Sequence, residues 1–196
     1  MKNNWSDIEA KKYIRKYIKL GHSKDMALRV YTTRLLGRNK ELVLHGGGNT
    51  SVKIKTKDID GKIYDVLCVK GSGWDMAEIE PQGLPAVKLN PLLSFKNKKY
   101  LSDDDMVSFQ KRNLINSKSP NPSVETFLHA FLPHKFVDHT HSDAIMNLTN
   151  RSNGIELCKK TFGTKVGIVP YVMPGFALAV KINEVLKKNK NINCLI

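Results

Sequence analysis

"NPSVETFLHAFLPHKFVDHTHSDA", residues 121–144, joins two patterns of different period across Pro133. The first half, "NPSVETFLHAFL", is read as a helix that begins at Pro122 or Ser123 and carries Glu125 in its first turn. After the proline, "KFVDHTH" is short, β-branched and aromatic, the composition of a strand. Side chains alternate between the two faces of a strand, so His139 and His141 point one way and Thr140 the other. Two imidazoles on one face suit a single divalent ion. An isolated His-x-His equally describes one buried, hydrogen-bonded histidine beside a surface one, so the neighbourhood has to decide. Glu125, on the helix that runs into this strand, brings a carboxylate toward the same cleft. The helix start also offers free backbone N–H groups, and Ser123 adds a hydroxyl, which together suit an anion.

Outward from this stretch, helices and strands alternate. "SDIEAKKYIRKYIKLG" has the capping-box pair Ser6 and Glu9, apolar residues at helical spacing and Gly21 as a stop. "DMALRVYTTRLLG" predicts a second helix closing on Gly37. A glycine-rich turn, "GGGN" at 46–49, leads into an alternating strand from Ser51 to Thr56, and Asp60-Gly61 reads as the hairpin turn into "KIYDVLCVK". "GSG" at 71–73 interrupts the sheet pattern. Ser102 caps a helix over "SDDDMVSFQKRNLI", whose three leading Asp suit the helix dipole. Ser142 caps another over "SDAIMNLTN". "KVGIVPYV" reads as a strand, "FALAVKINEVLKKN" as a helix, and "NCLI" as a strand begun at the end of the chain. The pattern argues for a layered α/β sheet in a single domain of 196 residues.

The composition narrows the function. Apolar residues at 41% and charged residues at 26% describe a globular chain. No apolar run approaches the length of a membrane helix or a signal peptide, and the expected location is cytoplasmic. Cys68, Cys158 and Cys194 are odd in number and unpaired in spacing, as structural thiols are. The net charge of +14 invites a nucleic-acid reading. The lysines, however, are spread over nearly every segment, and no zinc-finger, aromatic RNA-binding or basic heptad pattern accompanies them. Attraction of a phosphorylated small molecule is the milder use of the same field. The GGGN and GSG loops fit that use, since glycine lets backbone amides approach a phosphate closely.

The segments "LHGGGNTSVK", "VKGSGWDM", "NPSVETFLHAFLPHKFVDHTHSDA" and "VGIVPYVMPGF", in this order, resemble the class II aldolase/adducin family. Within it they are most similar to the aldolase region of long bacterial proteins that join a rhamnulose-1-phosphate aldolase to a short-chain dehydrogenase. The resemblance implies a three-layer α/β/α domain around a largely antiparallel sheet, commonly assembled as a tetramer. It also implies a Zn²⁺-dependent reversible cleavage of a phosphorylated ketose to dihydroxyacetone phosphate and lactaldehyde. By motif position, His139 and His141 match two zinc ligands and Glu125 the acid/base. Gly48, Asn49, Ser72, Gly73 and Ser123 match the family's phosphate pocket. Val124 stands where simpler fuculose-phosphate aldolases have a second phosphate-binding serine, as in the long two-domain proteins.

Catalytic zinc takes three protein ligands and keeps one position open. In the family the third is a histidine of an Asn-His-Gly segment after a strand that corresponds to "NCLI", and the chain stops at Ile196. The expectation is therefore a C-terminally incomplete domain, 1–196, without a dehydrogenase domain, that holds zinc weakly and turns over poorly or not at all. A non-catalytic, adducin-like interaction module is the alternative. Among the other histidines, His129 lies on the helical face of Glu125, from which it could approach the metal, and is assigned chiefly to a core or surface role. His22, His45 and His134 are assigned to structure or solvent.

Overall fold

Serine caps start the first two helices. Ser6 accepts the backbone N–H of Glu9 at the head of α1 (Asp7–Lys19), and Ser23 accepts that of Met26 at the head of α2 (Lys24–Gly37). Gly37 is fixed by space, because a Cβ there would fall 2.3 Å from the backbone nitrogen of Ala77. The computed structural model describes residues 3–44, 46–189 and 192–196, and the reading of His45 lies outside the described residues.

The hairpin expected around Asp60-Gly61 joins β1 (Asn49–Lys57) to β2 (Ile63–Val69), with Ser51 opposite Val69 and Lys57 opposite Ile63. A short β3 (Ala86–Lys88) pairs with β2, and β4 (Phe136–His139) pairs with the free edge of β1. The order is β3-β2-β1-β4 and every pairing is antiparallel.

Alternation along these strands separates two cores. Val52, Val66 and Cys68 are buried with Tyr17, Met26 and Val30 of α1 and α2. Leu67, Val69 and Val137 face the opposite layer, which holds α3 (Leu89–Leu93), α4 (Asp103–Arg112), α5 (Thr126–Phe131) and α8 (Phe176–Lys188). The three-layer α/β/α arrangement around an antiparallel sheet follows directly. In the second core Phe127 is fully buried, and its ring meets Phe176 edge-on at 5.1 Å and Phe95 at 5.5 Å. These contacts anchor α5 two residues after Glu125.

A buried cation ties the first layer to the sheet. The guanidinium of Arg29, on α2, donates to the carbonyls of Ser51 in β1 and Val137 in β4 and pairs with Asp138 at 2.5 Å. Lys53 closes the corner at Pro133 by donating to the carbonyls of Leu132 and His134, and burial holds its ammonium at about 8.

Several elements differ from the sequence reading. Helix α5 starts at Thr126, not at Pro122 or Ser123. Pro122 is held in a bridge to Gly71, and a turn follows in which Thr126 N–H returns to Ser123 O, so Glu125 sits at the capping position. Strand β4 ends at His139 and leaves His141 beyond it, where its N–H donates to Leu42 O. Ser142 precedes α6 (Asp143–Thr149) without a side-chain cap. "KVGIVPYV" forms no strand; Gly167 makes a single parallel bridge to Leu195, and Pro170, lacking an N–H, cannot extend the ladder. "NCLI" is the other side of that bridge. Strand β3, α3 and α7 (Gly154–Phe162) were not anticipated; α7 starts at Asn153 without a side-chain cap, so no start signal marks it.

Truncating Phe127 to Ala should cost about 3–5 kcal/mol by removing a ring from a close-packed aromatic cluster. The urea-unfolding midpoint, with an unchanged denaturant slope, measures that loss.

Candidate active site

Asn49 stands opposite His139 in the β1–β4 register, and Ser51 stands opposite Val137. All four side chains therefore project from the sheet toward the layer that holds α5. Glu125 and His129, one helical turn apart, come down on the same face. Glu125 is 6% exposed and His129 fully buried.

The polar groups meet in one chain of contacts. Asn49 Nδ2 donates to Glu125 Oε2 at 2.6 Å and to Ser123 Oγ at 3.3 Å. Asn49 Oδ1 lies 2.5 Å from His129 Nε2, and His129 Nδ1 lies 2.8 Å from Ser51 Oγ. Ser123 Oγ also accepts the backbone N–H of Glu125. On the other side of the carboxylate, His139 Nδ1 is 2.7 Å from Glu125 Oε2. That contact is close but not aligned as an N–H···O hydrogen bond, so Nδ1 is buried without a hydrogen-bond partner. The His141 ring lies beside that of His139, with centroids 4.9 Å apart. The strand reading thus placed the two imidazoles together correctly, although His141 lies past the strand end.

The charges follow from this packing. Burial alone would raise the Glu125 carboxyl, but the contact and charge of His139 and the Asn49 donor outweigh it and hold the group at about 2. Burial pushes His129 down to about 3, against the opposing pull of Glu125, so the ring is neutral at physiological pH. Burial and the neighbouring His139 also lower His141.

The glycine loops converge on the same place. Gly48 has φ +69°, and a Cβ there would fall 2.6 Å from the His139 carbonyl oxygen, so only glycine lets the 46–49 loop lie against the end of β4. Gly71 bridges to Pro122 and Ser72 N–H donates to Asn121 O, which ties the 71–73 loop to the turn before Glu125. Ser72 and Gly73 are exposed, Ser123 is half-buried, and Gly48 and Asn49 are buried. At the helix start, the N–H groups of Glu125 and Thr126 are both engaged by Ser123. Asn49, expected to contact phosphate, has both amide hydrogens and its carbonyl oxygen engaged inside the protein.

From Glu125 and His139 a groove of about 900 Å³ runs along the outer edge of β4 toward α8, lined by Thr140, Val169, Tyr171, Leu178 and Ile182 among others. A second hollow of about 860 Å³ shares His139, Thr140 and Tyr171 and continues toward Arg151. Glu125 thus lines the first of these depressions, and His139 lies where the two meet. No helix among the described residues is long and apolar enough to cross a membrane.

The profile of the Class II Aldolase and Adducin N-terminal domain matches residues 27–196. The chain belongs to that family. It is similar to the N-terminal class II aldolase domain of a protein from Thermoplasma acidophilum, with 38% identity and a TM-score of 0.83 over 96% of this chain and 82% of that one. YgbL from Klebsiella pneumoniae, 18% identical over 85% of this chain and 71% of its own, shares the fold at a TM-score of 0.54. The uncharacterized oxidoreductase YuxG of Bacillus subtilis (strain 168) is 40% identical over 160 residues, which is 82% of this chain and 23% of that protein. The chain spans about a quarter of the length of this curated relative.

Class II aldolases typically use a divalent metal, and the side chains here offer part of a site. The neighbouring imidazoles of His139 and His141, the first with a buried ring nitrogen that lacks a hydrogen bond, fit two ligands of a cation. Among the described residues, no three His, Cys, Asp or Glu side chains converge as a complete cage. The residues fit a group held by two histidines with further donors from elsewhere.

The buried His129 sets a pH dependence. Its folded value of about 3 lies below the ordinary 6.5, so between those values the unfolded chain binds a proton that the folded chain does not. Stability should therefore fall as pH drops below 6.5. Between pH 7 and 5 the wild type should lose about 2 kcal/mol more than His129→Phe, read from urea midpoints at the two pH values.

Proposed function

We propose that this chain is the aldolase portion of a zinc-dependent lyase that reversibly cleaves a phosphorylated ketose, with rhamnulose 1-phosphate as the substrate to test. The observation that carries this reading is the meeting of Glu125 and His139 in the groove, with the His141 ring packed beside that of His139. His139 and His141 would hold the ion. Bound there, Zn²⁺ supplies an electrophile for the negative charge that develops on the ketose oxygens when the carbon–carbon bond breaks. Glu125, ionised at neutral pH, accepts a proton from the substrate and returns it to the carbon skeleton, a contribution of roughly 10²–10⁴-fold. No lysine has to act as a nucleophile.

The exposed Ser72 and Gly73, with Gly48 and Ser123 behind them, are the proposed phosphate-binding groups. Asn49 would join them only by giving up one of its internal hydrogen bonds, so its main part is holding Glu125. The apolar walls of the groove suit a short methyl-bearing tail such as that of lactaldehyde. We further propose that copies of the chain associate, in keeping with an open groove on the β4 edge. A second reading, a non-catalytic interaction module, is favoured by the lack, among the described residues, of a third metal-ligating side chain beside His139 and His141.

Metal content and cleavage measured on one preparation separate the two readings. The lyase reading expects bound zinc that is lost in His139→Ala, together with release of dihydroxyacetone phosphate. In Glu125→Gln turnover should fall at least about 10²-fold while zinc is retained. The chain by itself is expected to hold zinc weakly and turn over poorly. The deciding outcome is therefore no zinc and no product from rhamnulose 1-phosphate even when the chain is extended through an Asn-His-Gly segment, which would leave the interaction module standing.

A further inference from the structure

The buried pair of Asn49 and His129 has one internally consistent arrangement of protons, and it leads from the core to the carboxylate. An ionised carboxylate only accepts hydrogen bonds, so the Asn49 group facing Glu125 must be the NH₂. The carbonyl oxygen of the same amide then faces His129 Nε2, and that nitrogen must carry a hydrogen. A neutral imidazole has one N–H, which leaves His129 Nδ1 bare to accept from the Ser51 hydroxyl. Every member is satisfied, and reversing any one of them leaves two acceptors or two donors face to face in a buried setting.

We propose that His129, held as its Nε2–H tautomer by Ser51, is a positioning residue that locks the Asn49 amide and through it aims the Glu125 carboxylate. This rests on the reading of Glu125 as the acid/base group. Asn49 and His139 both engage Oε2, and no described residue makes a hydrogen bond to Oε1. The lock therefore keeps one oxygen turned inward and leaves the other for the proton in transit. His129 never touches substrate; its site is closed off by α5 and the sheet, and it is fully buried. An apolar ring of similar size would fill the same space, so packing alone does not call for a histidine here. The distinguishing property is the donor it presents to Asn49.

Nitrogen NMR on the ¹⁵N-labelled chain tests this without relying on turnover. The wild type should show His129 as a single neutral Nε2–H tautomer, and the Asn49 side-chain amide as a distinct, slowly exchanging pair. In His129→Phe that pair should lose its protection, and kcat for zinc-supported rhamnulose 1-phosphate cleavage should fall on the order of ten- to a hundredfold with little change in KM. His129→Gln, which keeps a donor in place, should restore both. An Nδ1–H or charged ring at pH 7, or unchanged Asn49 signals and kcat in His129→Phe, would overturn the proposal. The wild-type spectrum needs no substitution, so the tautomer remains decisive if the Phe variant does not fold. If the Asn49 signals respond as expected while the zinc-loaded wild type gives no product, the positioning stands and the lyase reading falls.

Discussion

The register that sets Asn49 against His139 is the constraint on which the rest of the site depends. Residues 49, 51, 137 and 139 share one face of the sheet because β1 and β4 pair in that alignment. A slip of β4 by one position would turn residues 137 and 139 toward α2 and take His139 away from Glu125. With the register in place, one turn of α5 brings Glu125 and His129 to the two ends of a single side-chain amide. The cluster is polar and buried, and such a cluster is tolerated only when every donor and acceptor is used. Here both amide hydrogens and the carbonyl oxygen of Asn49 have partners, and His139 Nδ1 is the exception.

The same strands are held from the opposite face by Arg29. Its guanidinium reaches carbonyls on both β1 and β4 beside the residues that carry the site. Burial pulls the Arg29 pKa down, and the neighbouring Asp138 opposes that pull, so the pair works against a large desolvation cost. An apolar residue at position 29 would fill the space and leave two strand carbonyls with fewer partners. The polar cluster on one face and the buried cation on the other thus clamp the β1–β4 edge from both sides.

Much of this architecture was legible in the sequence, because its signals are local. Ser6 and Ser102 announce helices through the chemistry of capping. Asp60-Gly61 announces the hairpin, and the short β-branched run before His139 announces β4. The association of Glu125 with the histidine pair could be inferred from one continuous stretch. The function of Asn49 could not: its partners lie 76 and 80 positions away, and a glycine-rich flank makes a phosphate loop the natural reading. A signal was nevertheless present, in that Asn49 and Ser51 alternate on one face of the strand while Val52 and Ile54 lie on the other. The late start of α5 escaped notice because Ser123 caps a turn, not the helix itself. "KVGIVPYV" has the composition of a strand but only a single bridge to Leu195, and composition cannot reveal whether a neighbouring edge exists.

The spacing along the chain also sets an order of events during folding. The β1–β2 hairpin closes over a short turn and brings together residues close in sequence, while β4 pairs with β1 across more than eighty positions. Long-range pairing of this kind carries the larger entropic barrier and forms late. The contact between Glu125 and Asn49 therefore comes into being only once the sheet edge has closed. A chain with its helices and hairpin formed but the sheet edge still open would therefore lack the buried cluster of Glu125, Asn49 and His129.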